Sequence, residues 1–275
     1  MPRRRFLVAS CMVVAMLAIA GCSRLSFIKP SAARGDSEQV ARTYDFSDSS
    51  RKGQRDGSVR VHLLRGEQAL YQGRFEEAEA EARKALKLDE SSELAHTLLA
   101  LVLDRQGRTD DAGRHYARAA ELAPGSGAAL NNYGGWLCLN GRAGESLAWF
   151  DRALADRNYS SPASALANAG ACAVEGGQPA RAERDLRAAL RLDAVNAVAL
   201  EALARHLYAQ GEYFEARAFS QRRLDAAGAT PAALLLASQI EEKLGDKAAA
   251  ARYVQRLRTE FPQTQAALPG DSSSR

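Results

Sequence analysis

The residues that most enzyme chemistry needs are scarce in this chain. Four histidines occur in 275 residues (His62, His96, His115 and His206), and none forms a His-x-x-x-His pair. Cysteine is equally rare, with four and no Cys-x-x-Cys. Such spacings bring two metal ligands onto one helix face or one turn, so no metal site is assigned. A glycine-rich phosphate loop and a Gly-x-Ser-x-Gly nucleophile turn are also missing. No catalytic residue or cofactor is assigned, and the chain reads as a non-enzyme. The sequence has no lysine- and arginine-rich patch interleaved with aromatics either, so nucleic-acid binding is set aside. The one long uncharged run, Phe6 to Ala20, has 15 residues. A membrane-spanning helix needs ~20.

That run has another use. It follows "MPRRR", a basic start, and suits the core of a signal peptide over residues 1–21. It ends in Ile19-Ala20-Gly21-Cys22, which resembles the bacterial lipobox, where the cysteine becomes the lipid-bearing N-terminus. The resemblance implies lipidation at Cys22 and several acyl chains, enough for stable anchoring where one chain is marginal. Ser23, where an aspartate would imply inner-membrane retention, implies the periplasmic face of the outer membrane. Removing residues 1–21 leaves 34 basic against 33 acidic side chains, so the formal charge of +4 falls to +1. The basic pI belongs to the targeting segment and says little about partners.

Residues 22–58 are rich in Ser, Arg, Asp and Gly, with little apolar periodicity, and read as a flexible tether. A flexible chain of that length reaches roughly 35 Å. Residues 265–275 read as a disordered tail.

Between these ends the chain repeats itself. Gly73, Gly107, Gly141, Gly177, Gly211 and Gly245 are spaced 34, 34, 36, 34 and 34 residues apart. With each glycine at position 15, position 8 is Gly66, Ala100, Gly134, Gly170, Ala204 and Ser238. Position 20 is Ala78, Ala112, Ser146, Ala182, Ala216 and Ala250. Small residues at these places let helices approach closely. Position 27 is Ala85, Ala119, Ala153 and Ala189, then drifts to Arg223 and Leu257. The period resembles the tetratricopeptide repeat (TPR), a helix-turn-helix of 34 residues. The expected fold is all-α: a right-handed superhelix of six repeats, 59–92, 93–126, 127–160, 163–196, 197–230 and 231–264, following the lipidated tether. His62 and His96 both fall at position 4, so the repeat explains their spacing.

In TPR proteins, positions 2, 5, 9, 12 and 13 of the first helix line the concave face. The likeness therefore implies an apolar strip of Leu63, Leu70, Tyr71, Leu94 and Leu101 in repeats 1 and 2. A register error of one residue would instead turn these leucines into the core. Repeats 5 and 6 offer a polar lining of Glu201, Arg205, Tyr208, Gln239, Glu242 and Lys243. An apolar groove suits a hydrophobic or amphipathic peptide segment. Gly135, at groove position 9, has no evident reason to be glycine; in a helix it costs ~1 kcal/mol relative to alanine.

With Cys11 cleaved off and Cys22 lipidated, Cys138 and Cys172 remain. They fall at position 12 of repeat 3 and position 10 of repeat 4, on first helices that pack side by side. A bridge and two buried free thiols are both compatible with that placement.

"NNYGGWLC" (Asn131 to Cys138), "ALANAGAC" (Ala165 to Cys172) and the segment Ala233 to Pro262 resemble the type IV pilus assembly lipoproteins, the pilotins of the pilus secretin. The resemblance implies a monomeric adaptor. It would bind secretin subunits through its N-terminal repeats, promote their outer-membrane localisation and multimerisation, and so serve piliation and twitching motility. It also implies a disulfide between Cys138 and Cys172, since some members carry one there. The alternative is a generic outer-membrane TPR scaffold for cell-wall enzymes or outer-membrane protein assembly.

Overall fold

The computed structural model describes residues 46–263; the signal peptide, Cys22 and the final tail lie outside the described residues. Among these residues are twelve α-helices and no strand. They are α1 (Phe46–Tyr71), α2 (Phe75–Leu88), α3 (Glu93–Arg105), α4 (Thr109–Leu122), α5 (Gly127–Leu139) and α6 (Ala143–Ala155). Then follow α7 (Pro162–Glu175), α8 (Pro179–Leu192), α9 (Ala197–Gln210), α10 (Tyr213–Ala226), α11 (Pro231–Lys243) and α12 (Lys247–Glu260). Odd-numbered helices are the first helices of successive repeats and even-numbered ones the second. Each second helix packs on its own first helix and on the first helix of the next repeat.

Local chemistry sets the helix ends. Ser92, Ser126, Asn196 and Thr230 cap α3, α5, α9 and α11, each side-chain oxygen accepting the backbone N–H three residues on. Such a cap contributes ~1 kcal/mol. The turn inside every repeat is made by the position-15 glycine, with φ between +67° and +84° in all six. A Cβ is strained in that region, so glycine is required at the turn.

The second helices show why they pack. In α8 the buried residues are Ala182, Asp185, Leu186 and Ala189, one stripe at helical spacing. Position 8 is tight: a Cβ on Gly170 would lie 2.6 Å from Leu186 Cγ, and one on Gly66 would lie 2.7 Å from Leu98 Cδ2. The drift at position 27 has a local cause. Arg223 is buried, donates to Glu201 Oε2 (3.2 Å), and turns its guanidinium onto the carbonyls of Ala227 and Gly228 just past α10. The connection between repeats 3 and 4, two residues longer than the others, runs between Ala155 and Pro162, and its Asp156 carboxylate accepts from Gly127 N (2.9 Å). The loop's Tyr159 ring covers Gly127 so closely that a Cβ there would meet it at 2.5 Å.

One boundary differs from expectation. The first helix begins at Phe46, well inside the stretch read as tether. From residue 53 on, its first buried residue is nonetheless Val59, and a Cβ on Gly53 or Gly57 would meet nothing within 4 Å. The absence of apolar periodicity reports an absence of packing. It does not report backbone conformation, and a solvated stretch with no proline can continue a helix that the core has nucleated.

Candidate partner-binding grooves

The first helices lie side by side and carry two depressions. The N-terminal one, of about 380 Å³, lies between α1 and α3. Its lining includes Glu67, Leu70, Tyr71, Leu94, Leu101 and Arg105. Tyr71 is 93% exposed and Leu94 58%, while Leu70 and Leu101 are half-buried. Thr97 also lines it, and its hydroxyl oxygen is buried with no hydrogen-bond partner among the described residues.

Four of the five residues of the expected strip are thus gathered there. The fifth is not. Leu63 is only 7% exposed and belongs to the core of repeats 1 and 2, with Val59, Leu98 and Leu99. It stands one turn from Val59 and one turn from Gly66, on the α1 face that turns inward. Leu70 lies two turns further on, where the face opens toward α3.

The second depression, of about 390 Å³, crosses α5, α7 and α9. Gly135, Cys138, Leu139, Asn168, Val174 and Val198 are among its lining residues, with Arg205 at one side. Cys138 and Cys172 are joined in a disulfide, with Cα atoms 5.8 Å apart. The bridge ties α5 to α7 across the junction that carries the insertion. The concave-face pattern pointed to the first depression. The expected strip did not extend to this one, although Cys138, Leu139, Val174 and Val198 hold the same concave positions of repeats 3, 4 and 5.

The histidines pair across helices. His62 Nδ1 lies 2.6 Å from Glu81 Oε2, and His96 Nδ1 lies 2.9 Å from His115 Nδ1. Both pairs are separated by 19 residues and join position 4 of a repeat to position 23. That offset was available in the sequence; reading histidines one by one misses it. In repeats 3, 5 and 6 the same pair of positions is Leu130 with Trp149, Leu200 with Phe219, and Leu234 with Tyr253. Repeats 1 and 2 therefore use polar pairs where those repeats use apolar ones. Burial pushes both His96 and His115 below the usual histidine range, and the nearby Arg118, for His96, and Arg83 and Arg114, for His115, push the same way. Glu93 and His96 have Glu-x-x-His spacing, but His96 Nε2 is 3.2 Å from the Glu90 carbonyl and its Nδ1 faces His115. Among the described residues no three His, Cys, Asp or Glu side chains are grouped as a metal site.

Comparison with known proteins places this geometry. The tetratricopeptide-repeat profile matches residues 63–127, 98–161 and 173–230. The chain is 30% identical over 209 residues to the type IV pilus assembly protein PilF of Pseudomonas aeruginosa, covering 76% of this chain and 82% of that one. The chain belongs to the PilF/PilW family of type IV pilus biogenesis proteins. The crystal structure of PilW, described as a widely conserved type IV pilus biogenesis factor, matches with a TM-score of 0.69 at 30% identity, over 75% of this chain and 95% of that one. Pseudomonas aeruginosa PilF matches with a TM-score of 0.67 at 28% identity, over 78% and 100%. This member of the PilF/PilW family is an all-α tetratricopeptide-repeat superhelix. A superhelix of this kind offers its partners the side-by-side first helices, where both depressions lie.

Proposed function

We propose that the protein is a pilotin: a non-enzymatic, outer-membrane lipoprotein anchored through Cys22, which binds subunits of the pilus secretin and promotes their localisation and multimerisation. The observation that carries this reading is the N-terminal groove of Leu70, Tyr71, Leu94 and Leu101, open to solvent in a chain of this family. Tyr71 and Leu94 expose apolar surface that the fold does not cover.

The test follows the secretin in cells of the source organism. Deleting the gene is expected to remove secretin multimers from the outer membrane, and Cys22→Ala to mislocalise both proteins. Unchanged multimers in the deletion strain would sink the proposal. Leu70→Glu or Leu101→Glu places a charge in the groove. Either is expected to weaken secretin binding by roughly tenfold or more, about 1.4 kcal/mol, without loss of helicity. Wild-type binding by both variants would move the secretin site elsewhere.

A further inference from the structure

The two ends of the repeat stack are finished differently. At the N-terminal end, α1 exposes Arg65 and Gln68 at positions 7 and 10. The same positions are Leu99 and Val102 in repeat 2 and Leu203 and His206 in repeat 5, all buried. Polar residues thus close that end of the stack. At the C-terminal end, no first helix follows α12 among the described residues. Position 24 is Ala82, Tyr116, Phe150, Leu186 and Ser220 in repeats 1 to 5, and every one is buried. In repeat 6 it is Val254, half-buried, with Ala251 exposed one turn before it. Both line a depression of about 780 Å³ along α12, with Lys247 and Arg258 toward its ends. This is the face on which each earlier second helix receives the next first helix.

The residues after α12 repeat the start of a first helix. Positions 1 to 4 read "GAAL", "ASAL", "AVAL" and "PAAL" in repeats 3 to 6, and residues 265–268 read "QAAL". At position 3, Ala129, Ala165, Ala199 and Ala233 are all buried; at position 4, Leu130, Leu200 and Leu234 are. Residues 261–264 separate Glu260 from Gln265, a connection as long as 123–126, 193–196 and 227–230. Thr264 stands where Ser126, Asn196 and Thr230 accept the N–H of Ala129, Ala199 and Ala233. Its own counterpart donor is Ala267. Pro269 disfavours helix at the residue before it and supplies no N–H, so the pattern stops after one turn.

We infer that residues 264–268 of this chain dock on α12 as the opening turn of a seventh first helix. Repeat 5 supplies the pattern of contact: Ala199 and Leu200 share a buried cluster with Leu186 and Ala189 of the preceding second helix. The counterparts are Ala267 and Leu268, set against Val254 and Leu257. Thr264 caps the turn, and Leu268 brings to Val254 the apolar cover that the other position-24 residues receive. A second copy's α1 suits the same seat poorly. It would carry Arg65 into the contact and remove a charge from water without a partner. The inference goes beyond the secretin reading and does not need it.

The test places a thiol in the seat. The full chain carrying Val254→Cys, purified in detergent, is labelled with a maleimide, and the label at residue 254 is read by peptide mass spectrometry. Adding Leu268→Asp, or ending the chain at Gln263, is expected to speed labelling about fivefold, the ratio for a turn docked about four-fifths of the time. Thr264→Ala should speed it less, since it removes the cap and keeps the leucine. Unchanged hydrogen exchange in α1 to α11 separates an uncovered seat from an unfolded repeat. In the wild type, nuclear Overhauser effects are expected between the methyl groups of Leu268 and Val254. Three results overturn the inference: labelling at one rate in all these chains; no methyl contact in the wild type; or protection that grows with protein concentration, which would put a second copy in the seat.

Discussion

Repeats 1 and 2 and repeats 3 and 4 use one frame and hold together differently. The first pair is filled by volume: Val59, Leu63, Leu98, Leu99, Val102 and Leu103 are all buried in one cluster. At the junction of the second pair Ala169, Ala173 and Ala182 are buried beside Leu147 and Phe150, and a disulfide crosses it. Large side chains gain dispersion and burial in proportion to area, and alanines gain little. A covalent tie acts through the unfolded chain instead and does not depend on side-chain volume. The cost of the first solution is that leucines are also left on the open face. The second sets Gly135, Ala171 and the bridge sulfurs there, among Leu139, Val174 and Val198.

Four measurements test that contrast. The largest effect is expected from the bridge. Cys138→Ala, or reduction of the wild type, should lower stability by about 3–4 kcal/mol, the loop-closure value for a separation of 34 residues. Hydrogen exchange should show α5 to α8 opening first, with α1 to α4 retaining protection. Equal loss across all repeats would mean that the junction is not the weak point. Next comes Leu99→Ala in the volume-filled pair, expected to cost about 3 kcal/mol by urea unfolding. Here α1 to α4 should lose protection, the reverse of the cysteine variant.

A smaller effect of opposite sign is expected for Gly135→Ala, a gain of about 1 kcal/mol. A loss would show that the open space beside Gly135 is used by the fold itself. The smallest effect is on pH dependence. His96 and His115 are held below their usual value of 6.5, so the unfolded chain takes up protons more readily than the folded one. Their neutral pairing contributes fully above that pH, and the contribution is lost as pH falls below it toward the folded values. The urea midpoint should therefore fall on acidification, and His115→Phe, which copies the residue at the same position of repeat 5, should make the fall shallower.

Much of this was legible before any coordinates. The period of the glycines assigned every helix pair, because a turn that needs positive φ tolerates little else. Small residues at positions 8 and 20 marked the close helix contacts for the same kind of reason: a Cβ, or a larger side chain, has no room. The placement of four groove residues followed once the frame was known. Leu63 did not, although it holds a concave position in that frame. The frame states which residues are equivalent, but each side chain's surroundings depend on what the neighbouring helices bring to it. The length of α1 was equally hidden, since residues 53–58 are not buried and only packing leaves a periodic trace.

The repeat, with its period, its turn, its tight contacts and its number of units, is thus written in the order of the residues. The turn rests on backbone conformation within a few residues of the chain, and the tight contacts on steric exclusion that recurs once per repeat. What only the tertiary structure decided is every relation between residues of different helices. It joined Cys138 to Cys172, turned Leu63 inward and brought Asn131 to Asn168. Those relations depend on the rotation of one helix against another, a quantity that no single 34-residue unit contains.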